Sequence, residues 1–274
     1  MSFKVKFWGV RGSIACPGSA HIAFGGNTSC LEVVMGDQRV ILDSGTGIRN
    51  LGQSLMKTEP SHTHILFSHT HWDHINGFPF FVPAFVKNRS FTLRAGHLGE
   101  KGGIRTVLSD QMAHPTFPVP IEIMAARLEF EDFTSGDTFN IGPDVKVRTT
   151  SLNHPDGATG YRLEYAGRSV CYVTDTEHMP GKPDQNILGL IEGTDLLVYD
   201  STYTDAEFPA KVGWGHSTWQ EAVRLSQAAN VKALMIFHHD PDHDDVVMEQ
   251  IESDARLMWS KAMVARENMT YAIL

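Results

Sequence analysis

The chain has 274 residues, 42% of them hydrophobic and 20% charged, with a formal net charge of −9. That length suffices for a sizeable core, the composition is that of an ordinary globular protein, and no run of eighteen or more apolar residues speaks for a membrane span. Lys and Arg are scattered, with nothing denser than "VKNR" (86–89), so a basic stripe for long nucleic acid is missing and a small substrate is expected. The opening "MSFKVKFWGVRGSIACPG" lacks the basic and apolar regions of a secretion signal. Cys16, Cys30 and Cys171 form an odd, sparse set without C-x-x-C spacing, which suits a reducing cytoplasm.

In chain order, short runs rich in β-branched and aromatic residues, punctuated by Gly, Asp, His or Ser, predict strands at 4–10, 29–36, 39–47, 64–69, 90–96, 145–154, 162–167, 169–175, 195–201 and 233–239. Gly167 in "YAGRS" (165–169) marks a hairpin turn. Helical spacing appears at 46–57 (Ile48, Leu51, Leu55, Met56), at 99–112 after its glycines, and at 245–263 (Val246, Met248, Ile251, Ala255, Met258). It is clearest at 217–230, where Ser217 is the expected N-cap, Gln220 follows three residues on, and Ala222, Leu225 and Ala229 share a face. Many strands with helices scattered between them predict an α/β fold of two packed sheets with helices outside. No repeat or linker interrupts the chain, so one domain over 1–274 is expected.

The segment "FSHTHWDHINGF" (67–78) carries four potential metal ligands within six positions: His69, His71, Asp73 and His74. Three more residues of the same kind each follow the end of an expected strand: His154, Asp175 and His238. Strand ends of a layered α/β fold share one edge, so residues distant in sequence can meet there. His69 and His71, two apart in extended chain, point the same way. Asp73 and His74 are adjacent and are expected to diverge, which suits two metals side by side. Imidazole and carboxylate ligands fit Zn, Mn or Fe, and the lack of cysteine ligands argues against a closed structural zinc site.

His69-x-His71-x-Asp73-His74, followed by His154, Asp175 and His238, resembles the metallo-β-lactamase superfamily, specifically its dinuclear hydrolases. The resemblance implies a four-layer αββα sandwich with the site at one edge of its sheets. It implies that His69, His71 and His154 bind one divalent ion, that Asp73, His74 and His238 bind a second, and that Asp175 bridges them, zinc being the first expectation and Mn or Fe the others. "VILDSGTG" (40–47) is similar to the superfamily's early aspartate loop and sets Asp43 behind the ligands. "LNHPDGATGYRLEY" (152–165) and "GWGHSTWQEAVRLSQAANVKALMIFHH" (213–239) resemble the ribonuclease Z branch. That resemblance gives His216 a role at the scissile phosphate, with Asp200 in "YDST" in place of the Glu that normally orients it.

The long arm with which bacterial ribonuclease Z grips tRNA has no counterpart, since only residues 155–174 separate His154 from Asp175. The opening "FWGVRGSIACPG…FGGNTSC" (7–30) resembles instead the group containing the phosphonate-pathway phosphodiesterase for cyclic phosphates, without that group's additional cysteine-bearing zinc site. The expected function is therefore hydrolysis of a small, cyclic or nucleotide-like phosphodiester by a metal-bridging hydroxide, with Asp73, His216 and Asp200 as catalytic residues. A glyoxalase II-type thioester hydrolase and a non-catalytic metal-binding scaffold are the alternatives. The family also implies a possible homodimer. Residues 109–120 read as a lid or a dimer contact, His239 and His243 as structural or as supports behind the ligands, and Arg11, Asn27 and Thr46 either as pocket-lining or as capping and turn residues.

Overall fold

The structure is a computed structural model that describes residues 2–99 and 102–274. Two seven-stranded sheets form its centre. The first runs, in spatial order, β14 (Thr270–Ala272), β1 (Phe3–Gly9), β2 (Cys30–Met35), β3 (Gln38–Leu42), β4 (His62–Phe67), β5 (Ser90–Ala95) and β6 (Arg127–Asp132). The second runs β13 (Ala262–Val264), β12 (Leu234–Phe237), β11 (Leu196–Asp200), β10 (Arg168–Val173), β9 (Ala158–Tyr165), β8 (Val145–Leu152) and β7 (Thr138–Ile141).

Strand period decides which side chains meet. On β1, Phe3, Val5 and Phe7 face the second sheet and join Leu163, Tyr172 and Phe237 in the core between the sheets. On β4, Leu66 enters that core, whereas Ile65 and Phe67 point outward. There they pack with Ile48, Leu51 and Leu55 of α1 (Gly47–Leu55) and with Ile104 and Leu108 of α3 (Gly103–Gln111). On β10, Val170 and Tyr172 face inward, while Cys171 and Val173 meet α4 (Gln185–Ile191), α5 (Trp219–Ala228) and α6 (Asp245–Met258) on the outer side. The layers are thus helix, sheet, sheet, helix, as in the expected αββα sandwich, with each fully buried aliphatic or aromatic side chain contributing about 1.5–3 kcal/mol.

All ten expected strands lie in the sheets, and Ala166 (φ +50°) with Gly167 (φ +74°) form the two-residue hairpin turn between β9 and β10. Corrections fall at element ends. The N-cap of α5 is Thr218, whose Oγ1 accepts from the Glu221 N–H at 3.1 Å, while Ser217 is buried and accepts from or donates to His178 Nδ1 at 2.8 Å. The helix expected over 245–263 stops at Met258, and Ala262–Val264 pairs with β12 instead. Of the helix expected over 99–112, Glu100 and Lys101 lie outside the described residues.

Direction sets the functional edge. Strands β3 to β6 are mutually parallel, as are β10 to β13. β8 is antiparallel to β9, which is antiparallel to β10, so β8 and β10 also run the same way. The carboxyl ends of β3, β4, β8, β10, β11 and β12 therefore open onto one seam between the sheets, the usual place for a ligand in such folds.

Candidate metal centre

Asp43 follows β3, His69 follows β4, His154 follows β8, Asp175 follows β10, Asp200 ends β11 and His238 follows β12. Asp43 (φ +60°), Asp175 (φ +54°) and His238 (φ +63°) all take left-handed backbone, which only strong surrounding structure holds for non-glycine residues. The sharp turn folds each side chain back over the seam. His71 precedes the four-residue helix α2 (Trp72–Ile75), which contains Asp73 and His74. Two glycines permit the close approach of loops: a Cβ on Gly12 would collide with the His238 ring, and one on Gly215 with the His154 ring.

These residues converge in two groups. His71 Nδ1 and His154 Nε2 lie 3.0 Å apart, with His69 beside them. His74 Nε2 lies 3.2 Å from His238 Nε2 and 3.2 Å from Asp73 Oδ2. Asp73 and His74 thus converge rather than diverge, because the helical turn of α2 lets the short carboxylate and the longer imidazole reach one point. Asp175 stands between the groups: Oδ1 faces His69 Nε2 (3.6 Å) and His154 Nε2 (3.8 Å), and Oδ2 faces His74 Nε2 (3.2 Å) and His238 Nε2 (3.4 Å).

In four of the rings the nitrogen on the far side is already used. His154 Nδ1 donates to the Gly215 carbonyl (2.8 Å) and His74 Nδ1 to Asp43 Oδ2 (2.8 Å). His69 Nδ1 donates to Ser68 Oγ (3.1 Å) and His238 Nδ1 to Thr202 Oγ1 (3.0 Å), hydroxyls that in turn donate to Asp43 and Asp200. Four Nε2 lone pairs are left aimed into one small volume, and the buried His69 Nε2 has no hydrogen-bond partner. A volume walled by imidazole lone pairs and carboxylates fits divalent cations.

The electrostatics agree. Burial, then the neighbouring imidazoles His74, His154 and His71, hold His69 neutral, with a pKa well below the ordinary value; burial also lowers His154. Burial opposes a charged His74, yet the carboxylates of Asp73, Asp175 and Asp43 raise it well above the usual range. Burial likewise opposes ionised Asp73 and Asp175, and both still lie well below the usual carboxylate range because of His74 and His238. Carboxylates so placed demand positive charge, which His74 supplies when no cation does.

His216 and Asp200 belong to the same cluster. Asp200 Oδ2 accepts from His216 Nδ1 at 3.1 Å, and His216 Nδ1 is 3.6 Å from Asp175 Oδ1. Asp200 is fixed by the Thr176 N–H and by the Thr202 N–H and hydroxyl. Burial opposes charge on His216, but Asp200, then Asp175 and Asp73, raise its pKa to about 9.

Several participants carry no mark in the sequence. The Ser13 N–H donates to Asp73 Oδ2 (2.8 Å), the Tyr172 hydroxyl to Asp43 Oδ2 (2.8 Å), and Thr202 links Asp200 to His238. The other candidates bond within the fold and, among the described residues, to no member of the cluster. Arg11 is buried and donates to the carbonyls of Gly25, Asp240 and His243; Asn27 bonds Glu267, and Thr46 Oγ1 accepts from the Thr28 N–H. His239 reaches the Ala265 carbonyl and His243 reaches Glu207.

The profile of the β-lactamase superfamily domain matches residues 38–239. A ribonuclease Z of Bradyrhizobium sp. (strain ORS 278) is 24% identical over 314 residues, covering 97% of this chain and 98% of its own. The zinc-bound PqqB of Methylobacterium extorquens superposes with a TM-score of 0.72 at 18% identity, over 98% of this chain and 99% of that one. A diphosphatase of the PhnP family superposes at 0.70 with 17% identity, over 98% and 97%. The name of the ribonuclease relative gives no support to the expectation that long nucleic acid is excluded. No helix among the described residues is long and apolar enough to cross a membrane. The chain belongs to the metallo-β-lactamase superfamily of hydrolases, and it is similar in sequence to ribonuclease Z and in fold to PqqB and a PhnP-family diphosphatase.

Proposed function

We propose that the whole chain, as one domain, hydrolyses a small phosphodiester at a centre for two divalent ions, zinc first among them. His69, His71 and His154 would hold one ion, Asp73, His74 and His238 the other, and Asp175 would bridge. The observation that carries this reading is the Asp175 carboxylate, whose two oxygens each face a different set of imidazoles.

When bound, the ions supply an activated water and positive charge against the phosphoryl oxygens. The chain's own residues supply the rest. Asp73, whose Oδ2 is held by the Ser13 N–H and faces His74 and His238, accepts at its other oxygen the proton that the attacking water gives up. Asp200 takes the Nδ1 proton of His216 into a hydrogen bond and thereby turns its Nε2 toward the substrate. With its pKa raised to about 9, His216 carries a proton at neutral pH, and bound cations would lower that pKa toward the range of a general acid. It then protonates the leaving oxygen.

The test is metal analysis of purified protein followed by turnover of bis(p-nitrophenyl) phosphate, S-lactoylglutathione, 2′,3′- and 3′,5′-cyclic nucleotides, and a short RNA. Metal-loaded protein is expected to cleave diesters and not the thioester. His216→Ala is expected to retain both metals and lose turnover by about 100-fold or more. Wild-type turnover in that variant would remove His216 from the mechanism, and thioester cleavage alone would replace the reading.

A further inference from the structure

Outside the metal cluster, and adjoining it in sequence, lies an apolar groove of about 630 Å³, a size that takes a small-molecule group. Its lining includes Thr70, Trp72, Pro79, Phe80, Asp110 and Phe117. Trp72 is 82% exposed and Phe80 is 55% exposed, and Phe80 meets Phe117 edge-to-face at 5.7 Å. A tryptophan held in water by a four-residue helix contributes little to packing there.

The segment around α2 is two-sided. His69, His71, Asp73 and His74 join the metal cluster, whereas Thr70, Trp72, Ile75 and Asn76 line the groove. Successive Cα atoms are about 3.8 Å apart, so Trp72 sits one residue from His71 and one from Asp73, the proposed ligands of different ions. The groove and the metal cluster are thus built on the same stretch of backbone, residues 69–76. The groove's lining holds no Lys or Arg but does hold Asp110, which disfavours a second anionic group and suits a neutral, flat one.

The geometry points to this groove as the subsite for a planar ring carried by one ester group of the substrate, with Trp72 as its stacking face. The inference rests on the phosphodiesterase reading and narrows its substrate class to diesters with a ring-bearing ester group. A nucleobase and a simple aryl group share that chemistry.

Binding to the metal-loaded full chain tests it, with AMP, phenyl phosphate and ribose 5-phosphate as probes, followed by calorimetry. The ring-bearing monoesters are expected to bind about tenfold or more tighter than ribose 5-phosphate, and Trp72→Ala to remove about 5- to 100-fold of AMP affinity. Ribose 5-phosphate affinity and metal content stay unchanged in that variant, and Trp72→Phe retains most of the ring preference. A preference for AMP over phenyl phosphate assigns the subsite to nucleosides, and equal binding assigns it to aryl groups in general. Phe80→Ala, at a second exposed position, is expected to weaken AMP in the same direction. Equal binding of all three probes by wild type, or equal loss for all three in Trp72→Ala, overturns the subsite. So does a dimer that both variants dissociate while ring preference is unaltered. Bis(p-nitrophenyl) phosphate turnover is measured separately, so a failed phosphodiesterase reading and a failed subsite give different results.

Discussion

Each buried imidazole of the centre is aimed by what its outer nitrogen touches, and Asp43 aims two of them, His74 directly and His69 through Ser68. Its Oδ1 accepts from the Ser68 N–H, and its Oδ2 from the Ser68 hydroxyl, His74 Nδ1 and the Tyr172 hydroxyl. Asp43→Asn sets an amide N–H₂ against donors and removes the carboxylate that fixes the His74 tautomer. The expected result is a loss of about 10- to 100-fold in affinity for the ion at Asp73, His74 and His238, read by competition with a chelator. The ion at His69, His71 and His154 is expected to be released later in the same titration. The cluster was legible in the sequence because its members are rare residue types placed just after β-rich runs. Tyr172 and Thr202 were not: the first reaches Asp43 across 129 residues and the second is an ordinary threonine until β11 and β12 pair beside it.

At the scale of elements, β4 carries a pair of histidines unrelated to the centre. His62 and His64 lie 4.7 Å apart between ring centroids, and Arg94 donates to His64 Nδ1 at 2.9 Å. Burial first, then His62 and Arg94, lowers the pKa of His64 from 6.5 to about 4. The unfolded imidazole therefore takes a proton before the folded one does, so this contribution to stability is complete above pH 6.5 and is lost as pH falls toward 4. Metal-free wild type is expected to lose more stability than His64→Thr between pH 6.5 and 4, as read by denaturant midpoints; parallel profiles would refute it. The strand itself was legible, as were the longer elements. β6 was not, because "RLEFED" lies at a sheet edge with charged residues facing water, and β7, β13 and β14 are four residues or fewer. The end of α6 was misread because Ile251, Ala255 and Met258 keep the helical spacing up to its last turn, after which the chain turns to lay β13 beside β12.

For the whole molecule, the layered architecture followed from pattern, while the order of strands followed only from three-dimensional pairing. The first sheet supplies His69, His71, Asp73 and His74, and the second supplies His154, Asp175 and His238, so bound ions would tie one sheet to the other. With free metal about 1,000-fold above its Kd, one ion adds roughly 4 kcal/mol, so chelation is expected to lower Tm by about 10 °C. Hydrogen exchange is expected to rise first at the strand ends around the seam. An unchanged Tm after verified metal removal would show that the sheets hold without the ions. The distance along the chain between the two contributions has a consequence for the protein's life before it works. His238 is synthesised 164 residues after His74, and the site cannot close until both have been made. On the proposed reading, the set Asp73, His74 and His238 would form only after β12 is made, and a product truncated before β12 would lack one member of that set while keeping His69, His71 and His154.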